Sequence, residues 1–219
     1  MVMNAALAGM VILAIGDSHM AGRDYLLTNL HDQLAAQGAQ VHSYGMCGAN
    51  AGDWLFPTTV SCGRGQHDLN AQPVTDRNKV AQTWNLNTLI SQFHPNLIII
   101  ELADTMAAYG SAFPGPWIYD QIHRLTARIH QDNIGCVWVG PIWGNPGPPY
   151  FKTTERVKQM SDFLSQNVAP CSFINSTAFS QPGQWPTTDG QHLTPSGYHQ
   201  WGADITNAVV QLKAQGAIR

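Results

Sequence analysis

An α/β fold, a parallel sheet with helices on both faces, is predicted by three features of this chain. Short apolar runs alternate with segments of helical period, giving five strand–helix pairs. One run, Asn96-Leu97-Ile98-Ile99-Ile100-Glu101-Leu102, is a strong signal for a buried strand. No internal repeat or low-complexity linker divides the 219 residues, and 44% of them are hydrophobic, enough for a full core. A single domain over residues 1–219 is expected.

The first strand is Val11-Ile12-Leu13-Ala14-Ile15, followed by the turn Gly16-Asp17-Ser18-His19. A helix from about Ala21 to Gln37 carries Leu26, Leu27, Leu30 and Leu34 on one face, and Gly38 ends it. Gln40–Tyr44 makes the second strand. From Gly45 to about Asn78 the chain is rich in Gly, Pro and Asn and reads as one long irregular loop. A helix near Val80–Phe93 precedes the third strand, Asn96–Leu102. Ile118, Ile122, Leu125 and Ile129 space a helix over Trp117–Gln131. Strand four is Cys136–Gly140, and a Pro/Gly-rich loop, residues 141–149, leads to a helix at Thr153–Asn167. Strand five, Cys171–Asn175, and a helix from Pro195 to Ala214 complete the pattern, so five strands are expected.

Composition narrows the function. Only 11% of residues are charged and the net charge is −3. No basic patch suggests nucleic acid, and no Lys/Arg-rich helix suggests a membrane surface. The apolar segment from Ala5 to Ile15 lacks a positive leader and runs into Gly16-Asp17-Ser18, so it reads as a strand and not a signal peptide. The four cysteines pair by position. Cys47 and Cys62 bracket an irregular loop, and Cys136 and Cys171 each open a strand, which sets their sulfurs side by side if those strands are neighbours in register. Two disulfides favour an oxidising compartment, so export is expected, with any signal or membrane segment outside these residues. The weighed alternative is four buried thiols in a cytosolic protein. No CxxC spacing supports zinc.

The unusual polar residues all follow strands and so share one edge of the sheet, where ligands of such folds bind. Ser18 sits on a turn at the start of a helical pattern, where the hydroxyl is exposed and the helix dipole is positive. A serine hydroxyl is a weak nucleophile until a base takes its proton. Asp189-Gly190-Gln191-His192 supplies an imidazole and a carboxylate from one turn. The amide groups of Ser18 and Gly48 are candidate oxyanion donors.

Gly16-Asp17-Ser18-His19, Gly48 and Asp189-x-x-His192-Leu193-Thr194-Pro195 resemble blocks one, two and five of the SGNH (GDSL-type) hydrolase superfamily. The likeness spans Ile12 to about Trp201. It implies a flavodoxin-like α/β/α fold and hydrolysis or transfer of acyl groups without metal or other cofactor. It implies Ser18 as nucleophile, His192 as base, Asp189 as its partner and Gly48 as an oxyanion donor. One block departs: the family's Gly-x-Asn-Asp is here Glu101-Leu102-Ala103-Asp104-Thr105, which puts Thr105 where an asparagine donor is expected.

Asp17 is read as capping its turn, His19 as packing against the loop, and Asn50 as a neighbour able to assist. Loop aromatics Trp54, Trp143, Tyr150 and Trp185 are candidates for sugar stacking, with Asn50, Trp143 and Trp185 the chosen substrate contacts. The expected substrate is a short acyl ester, such as an acetylated cell-surface or extracellular glycan. A monomer is expected, with a membrane-bound partner domain left open. Two alternatives were weighed. One is a glycan-binding member without turnover. The other is a two-metal phosphoesterase built on Asp17, His19, Asp189 and His192, with Asp53, Asp104 and His67 as further ligands.

Overall fold

The computed structural model describes residues 5–218. Nine strands and five α-helices follow one another as β1 Val11–Gly16, α1 Leu26–Ala36, β2 Gln40–Met46, β3 Thr59–Val60, β4 Gly63–Asp68, β5 Val74–Arg77, β6 Ala81–Gln82, α2 Leu86–Phe93, β7 Leu97–Glu101, α3 Gly115–Gln131, β8 Gly135–Val139, α4 Thr154–Asn167, β9 Ser172–Ile174 and α5 Pro195–Ala214. The main sheet has the order β5-β4-β2-β1-β7-β8-β9. Its five parallel strands, β2-β1-β7-β8-β9, are those read from the sequence, in the 2-1-3-4-5 order of flavodoxin-like folds.

Residues of each central strand alternate between two cores. Leu13, Ile15, Ile98, Ile100 and Trp138 meet α2, α3 and α4 through Leu89, Ile118, Ile122 and Met160. Ile12, Ala14, Ile99 and Val137 meet α1 and α5 through Leu30, Leu34, Trp201 and Ile205. A sheet buried on both faces needs apolar residues at consecutive positions, and this accounts for the unbroken apolar runs.

The five-stranded prediction needs correction, because the sheet has seven strands. The stretch read as irregular, Gly45–Asn78, folds β4 antiparallel onto β2 and β5 onto β4, and β3 pairs with β6 in a small second sheet. Gly63, Gly65, Arg64 and Asp68 hide a strand from any propensity count, yet tertiary pairing overrides that weakness. The first helix also starts later than predicted, at Leu26. Met20 and Ala21 run flat across β2, so close that a Cβ on Gly45 would lie 2.0 Å from the Met20 carbonyl oxygen. The second helix is shorter too, because Ala81–Gln82 is strand and Asn85 caps the helix by accepting from Asn87 N–H.

Both expected disulfides are formed, Cys47–Cys62 and Cys136–Cys171. The register Val137↔Ser172 places Cys136 opposite Cys171 at the start of β8 and β9, as their positions in sequence required. Among the described residues no helix is long and apolar enough to cross a membrane.

Candidate active site

The turn after β1 is a single 3-10 turn, Ser18–Met20, capped by Asp17, whose Oδ1 accepts from His19 N–H at 3.0 Å. It lies at the carboxyl edge of the sheet between β2 and β7, beside the point where strand order reverses and a crevice opens. The C-terminal contributor is equally local. Asp189 Oδ1 accepts from the main-chain N–H groups of Gln191 (3.0 Å) and His192 (2.8 Å), which folds the segment into a turn before α5.

Ser18, His192 and Asp189 meet there. Asp189 Oδ2 lies 2.7 Å from His192 Nδ1, and His192 Nε2 lies 2.7 Å from Ser18 Oγ. With Nδ1–H donating to the carboxylate, the Nε2 lone pair is left to accept the serine proton. Burial alone would raise Asp189, but hydrogen bonds from His192 and Gln191 outweigh it and hold the carboxyl below its ordinary value. Tyr25 and Tyr150 flank the imidazole, one stacked at 5.8 Å and one edge-on at 5.6 Å between ring centroids.

Ser18, His192 and Tyr150 line a cleft of about 500 Å³ with Gly48, Thr105, Tyr109, Phe151 and the Cys47–Cys62 bridge. Gly48 has φ +83°, a left-handed conformation that favours glycine, and neither its N–H nor that of Ser18 is used in the surrounding turns. Thr105 does not aim its hydroxyl at the cleft: it donates to the Ala49 carbonyl at 2.9 Å and so ties the Gly48 loop to the end of β7.

The three chosen substrate contacts are not brought to the cleft wall. Trp143 donates its indole N–H to the carbonyls of Thr177 and Ser180, and Trp185 packs on the α1/α5 core. Asn50 opens the 3-10 turn Ala51–Trp54, where its N–H donates to Asp53, and Trp54 is fully buried. Loop tryptophans looked like platforms only because sequence does not show which loops fold inward. Tyr150 alone of the four loop aromatics stands beside His192.

Sequence reasoning missed the buried network beneath the serine. His19 donates from Nε2 to Asp104 Oδ2 and accepts from the Tyr198 hydroxyl at Nδ1, both at 2.7 Å. Asp104 also accepts from Tyr109 at 2.6 Å and from the ammonium of Lys152, which is fully buried. Burial would raise Asp104, but Lys152 and His19 together hold it well below the carboxylate range. Burial lowers His19 to about 4, so it is neutral near pH 7. With both ring nitrogens engaged, His19 offers no free lone pair; Asp53 is held at the Asn50 turn, and His67 stands apart with His31 and Asp32. Among the described residues the weighed set is thus divided: Asp17 and His19 gather with Glu101, while Asp189 and His192 join Ser18.

Asp17 and Glu101 complete the network, each with a carboxyl oxygen within 4.8 Å of the other's. Burial, with the charge of Asp104 next, raises Asp17 to about 7, and burial together with Asp17 raises Glu101 well above its usual value. The folded state thus keeps protons that the unfolded chain releases above about pH 4.5. That stabilisation is complete at low pH and is lost as pH rises through the folded values. Glu101→Gln, which mimics the protonated acid, is therefore expected to gain on wild type by up to about 1.4 kcal/mol per pH unit. Thermal unfolding from pH 5 to 9 tests this, and a pH-independent difference in Tm would refute it.

No protein-family model matches the chain. It is 41% identical over 210 residues to Protein BcsX of Komagataeibacter xylinus, covering 95% of this chain and 79% of that protein. Solved structures share the fold at low identity. A lipase/acylhydrolase from Enterococcus faecalis superposes with a TM-score of 0.63 at 16% identity, over 92% of this chain and 96% of that one. The psychrotrophic esterase EstA of Pseudoalteromonas sp. gives 0.58 at 14%, over 93% and 98%. A GDSL-like lipase from Bacteroides thetaiotaomicron gives 0.59 at 14%, over 95% and 94%.

Proposed function

Starting from a chain that belongs to one family with BcsX and has the fold of GDSL-like lipases and esterases, we propose that it is an SGNH (GDSL-type) serine ester hydrolase or O-acyltransferase acting on short acyl esters of extracellular or cell-surface carbohydrate. The observation that carries this reading is the hydrogen-bonded line Ser18–His192–Asp189, 2.7 Å at each link, opening into a cleft. Ser18 Oγ attacks the acyl carbon while its proton passes to His192 Nε2, and Asp189 holds the imidazolium that forms. The oxyanion is met by the N–H groups of Ser18 and Gly48. Collapse expels the sugar oxygen, which takes the proton from His192. The acyl-enzyme then passes its acyl group to water or to a second sugar hydroxyl by the same steps.

Thr105 serves in this scheme by fixing the Gly48 loop, since its single hydroxyl proton is given to Ala49. That same bond favours a second reading, a domain that binds acylated glycan with little turnover. A family donor would then be missing, and one such donor is worth roughly 10²–10³ in rate. Export fits both readings and is supported by the two disulfides.

Diethyl p-nitrophenyl phosphate is expected to add one phosphoryl group to the peptide holding Ser18, with activity on p-nitrophenyl acetate lost in step and unaffected by EDTA. Mass spectrometry beside the rate assay checks it. Activity surviving full labelling, or abolished by EDTA, would sink the serine mechanism. Binding of acetylated glycan without any ester cleavage would select the second reading. Where the ester is cleaved, acetate release from acetyl-xylan and cellulose acetate tests the carbohydrate.

A further inference from the structure

The cleft does not end at the serine. A second hollow of about 720 Å³ adjoins it, and the two share Gly110, Ser111 and Phe151 as common wall. Each is of the size that takes a small ligand, and the two adjoin at these residues. Phe151 stands at the junction with 50% of its surface exposed.

Its backbone explains why it stands there. Phe151 has φ +55°, a conformation that bulky side chains rarely take. Its N–H donates to the Gly147 carbonyl and its carbonyl accepts from Thr153 N–H, so the kink is fastened on both sides. The next residue, Lys152, turns inward to Asp104 under the catalytic turn. The left-handed residue lets the chain send Lys152 into the core and keep Phe151 out where the two hollows meet.

The ring also has Gly110 behind it. A Cβ on Gly110 would lie 3.5 Å from Phe151 Cδ2, so a side chain there would meet the ring and glycine leaves its inner face clear. The loop carrying Gly110 is pinned in turn by Arg156, whose guanidinium donates to the carbonyls of Ala107 (2.7 Å), Ala108 (2.6 Å) and Ser111 (2.7 Å). A half-exposed aromatic ring on a fastened kink, where two hollows meet, offers its apolar face to a ligand in either. Beyond it the second hollow is mostly apolar, with Thr153, Glu155, Arg156 and Gln159 supplying its polar groups. A pyranose ring presents apolar C–H groups on its face and hydroxyls around its edge, and this surface matches both.

We propose that Phe151 is a stacking platform for a pyranose ring of the glycan that carries the ester, in a subsite adjoining the Ser18 cleft. The placement of the ester rests on the function proposed above, but the binding does not. The test therefore uses Ser18→Ala protein titrated by calorimetry with partially acetylated xylohexaose and cellohexaose. At least one should bind, about tenfold more weakly when Phe151→Ala or Phe151→Leu is added, with affinity kept by Phe151→Trp. In protein with Ser18 intact, Phe151→Ala should lower kcat/KM on the acetylated hexaose about tenfold more than on p-nitrophenyl acetate. The proposal is overturned if neither hexaose binds, if Phe151→Ala and Phe151→Leu leave the Kd unchanged, or if both esters lose rate equally. It is equally overturned if p-nitrophenyl octanoate, and not the hexaose, shows the selective loss. Failure of the ester chemistry itself would appear separately, as p-nitrophenyl acetate hydrolysis indifferent to Ser18→Ala.

Discussion

Ser18→Ala is expected to lower kcat on p-nitrophenyl acetate by about 10⁴–10⁶-fold, and His192→Ala added to it to lower the rate little further. The reason lies in how the three side chains are joined. The Ser18 hydroxyl has one protein partner, the His192 imidazole, and that imidazole is fixed by one carboxylate. Without the serine there is no proton for the base to take, and without the base the serine stays a neutral alcohol. Their losses therefore overlap in place of adding. Asp189→Asn is the milder member of the set, since its amide can still hold the ring but in the wrong tautomer. Steady-state rates for the two single variants and the double variant decide the matter. A Ser18→Ala rate within tenfold of wild type, or a double variant showing the product of two large losses, would exclude a shared acyl-enzyme step.

Much of this was legible in the sequence because it is local. Asp189 and His192 are three residues apart, and the same turn that aligns them is fastened by two main-chain bonds to the Asp189 carboxylate. Ser18 sits in the Gly16-Asp17-Ser18 turn that ends an apolar run, and the cysteines of β8 and β9 sit at matching strand positions. The rest depends on tertiary pairing. β4 carries two glycines and three charged or imidazole side chains, so only its partner β2 makes it a strand. Trp143 and Trp185 lie in loops, as expected of cleft residues, yet both turn inward onto main chain or core. Lys152 has no local signal at all: a lone lysine after a Pro/Gly-rich loop reads as solvent-exposed, and only the three-dimensional approach of Asp104 explains its burial.

The network under the serine has an electrostatic task that follows from its position. Asp104 lines the cleft, and an unbalanced carboxylate there would oppose the negative charge that develops on the substrate oxygen. Lys152 cancels it, while neutral His19 and Tyr109 donate the remaining hydrogen bonds. The same ammonium ties the segment bearing Tyr150 and Phe151 to the end of β7. One buried pair thus serves both the charge balance of the cleft and the placement of its aromatic wall.

Lys152→Met is accordingly expected to destabilise the protein by about 3–5 kcal/mol, because removing one partner of a buried pair strands the other charge. For a chain of this size that is a fall in Tm of about 6–20 °C. Asp104→Asn placed on top should recover a large part of the loss, since the stranded charge is then gone and only hydrogen-bond geometry is disturbed. The sign with pH follows from Asp104. In wild type its carboxyl is held well below the usual range, so its stabilising contribution is present above the unfolded value and is lost only as pH falls through the folded one. Without Lys152 the burial penalty dominates and the carboxyl takes up a proton more readily, so the deficit should be largest near pH 7 and shrink toward pH 4. Denaturant unfolding of wild type, Lys152→Met and Lys152→Met/Asp104→Asn at pH 4.5 and 7 measures both effects. A Lys152→Met protein within 1 kcal/mol of wild type, or an Asp104→Asn addition that deepens the loss, would mean that the pair does not carry the charge balance assigned to it.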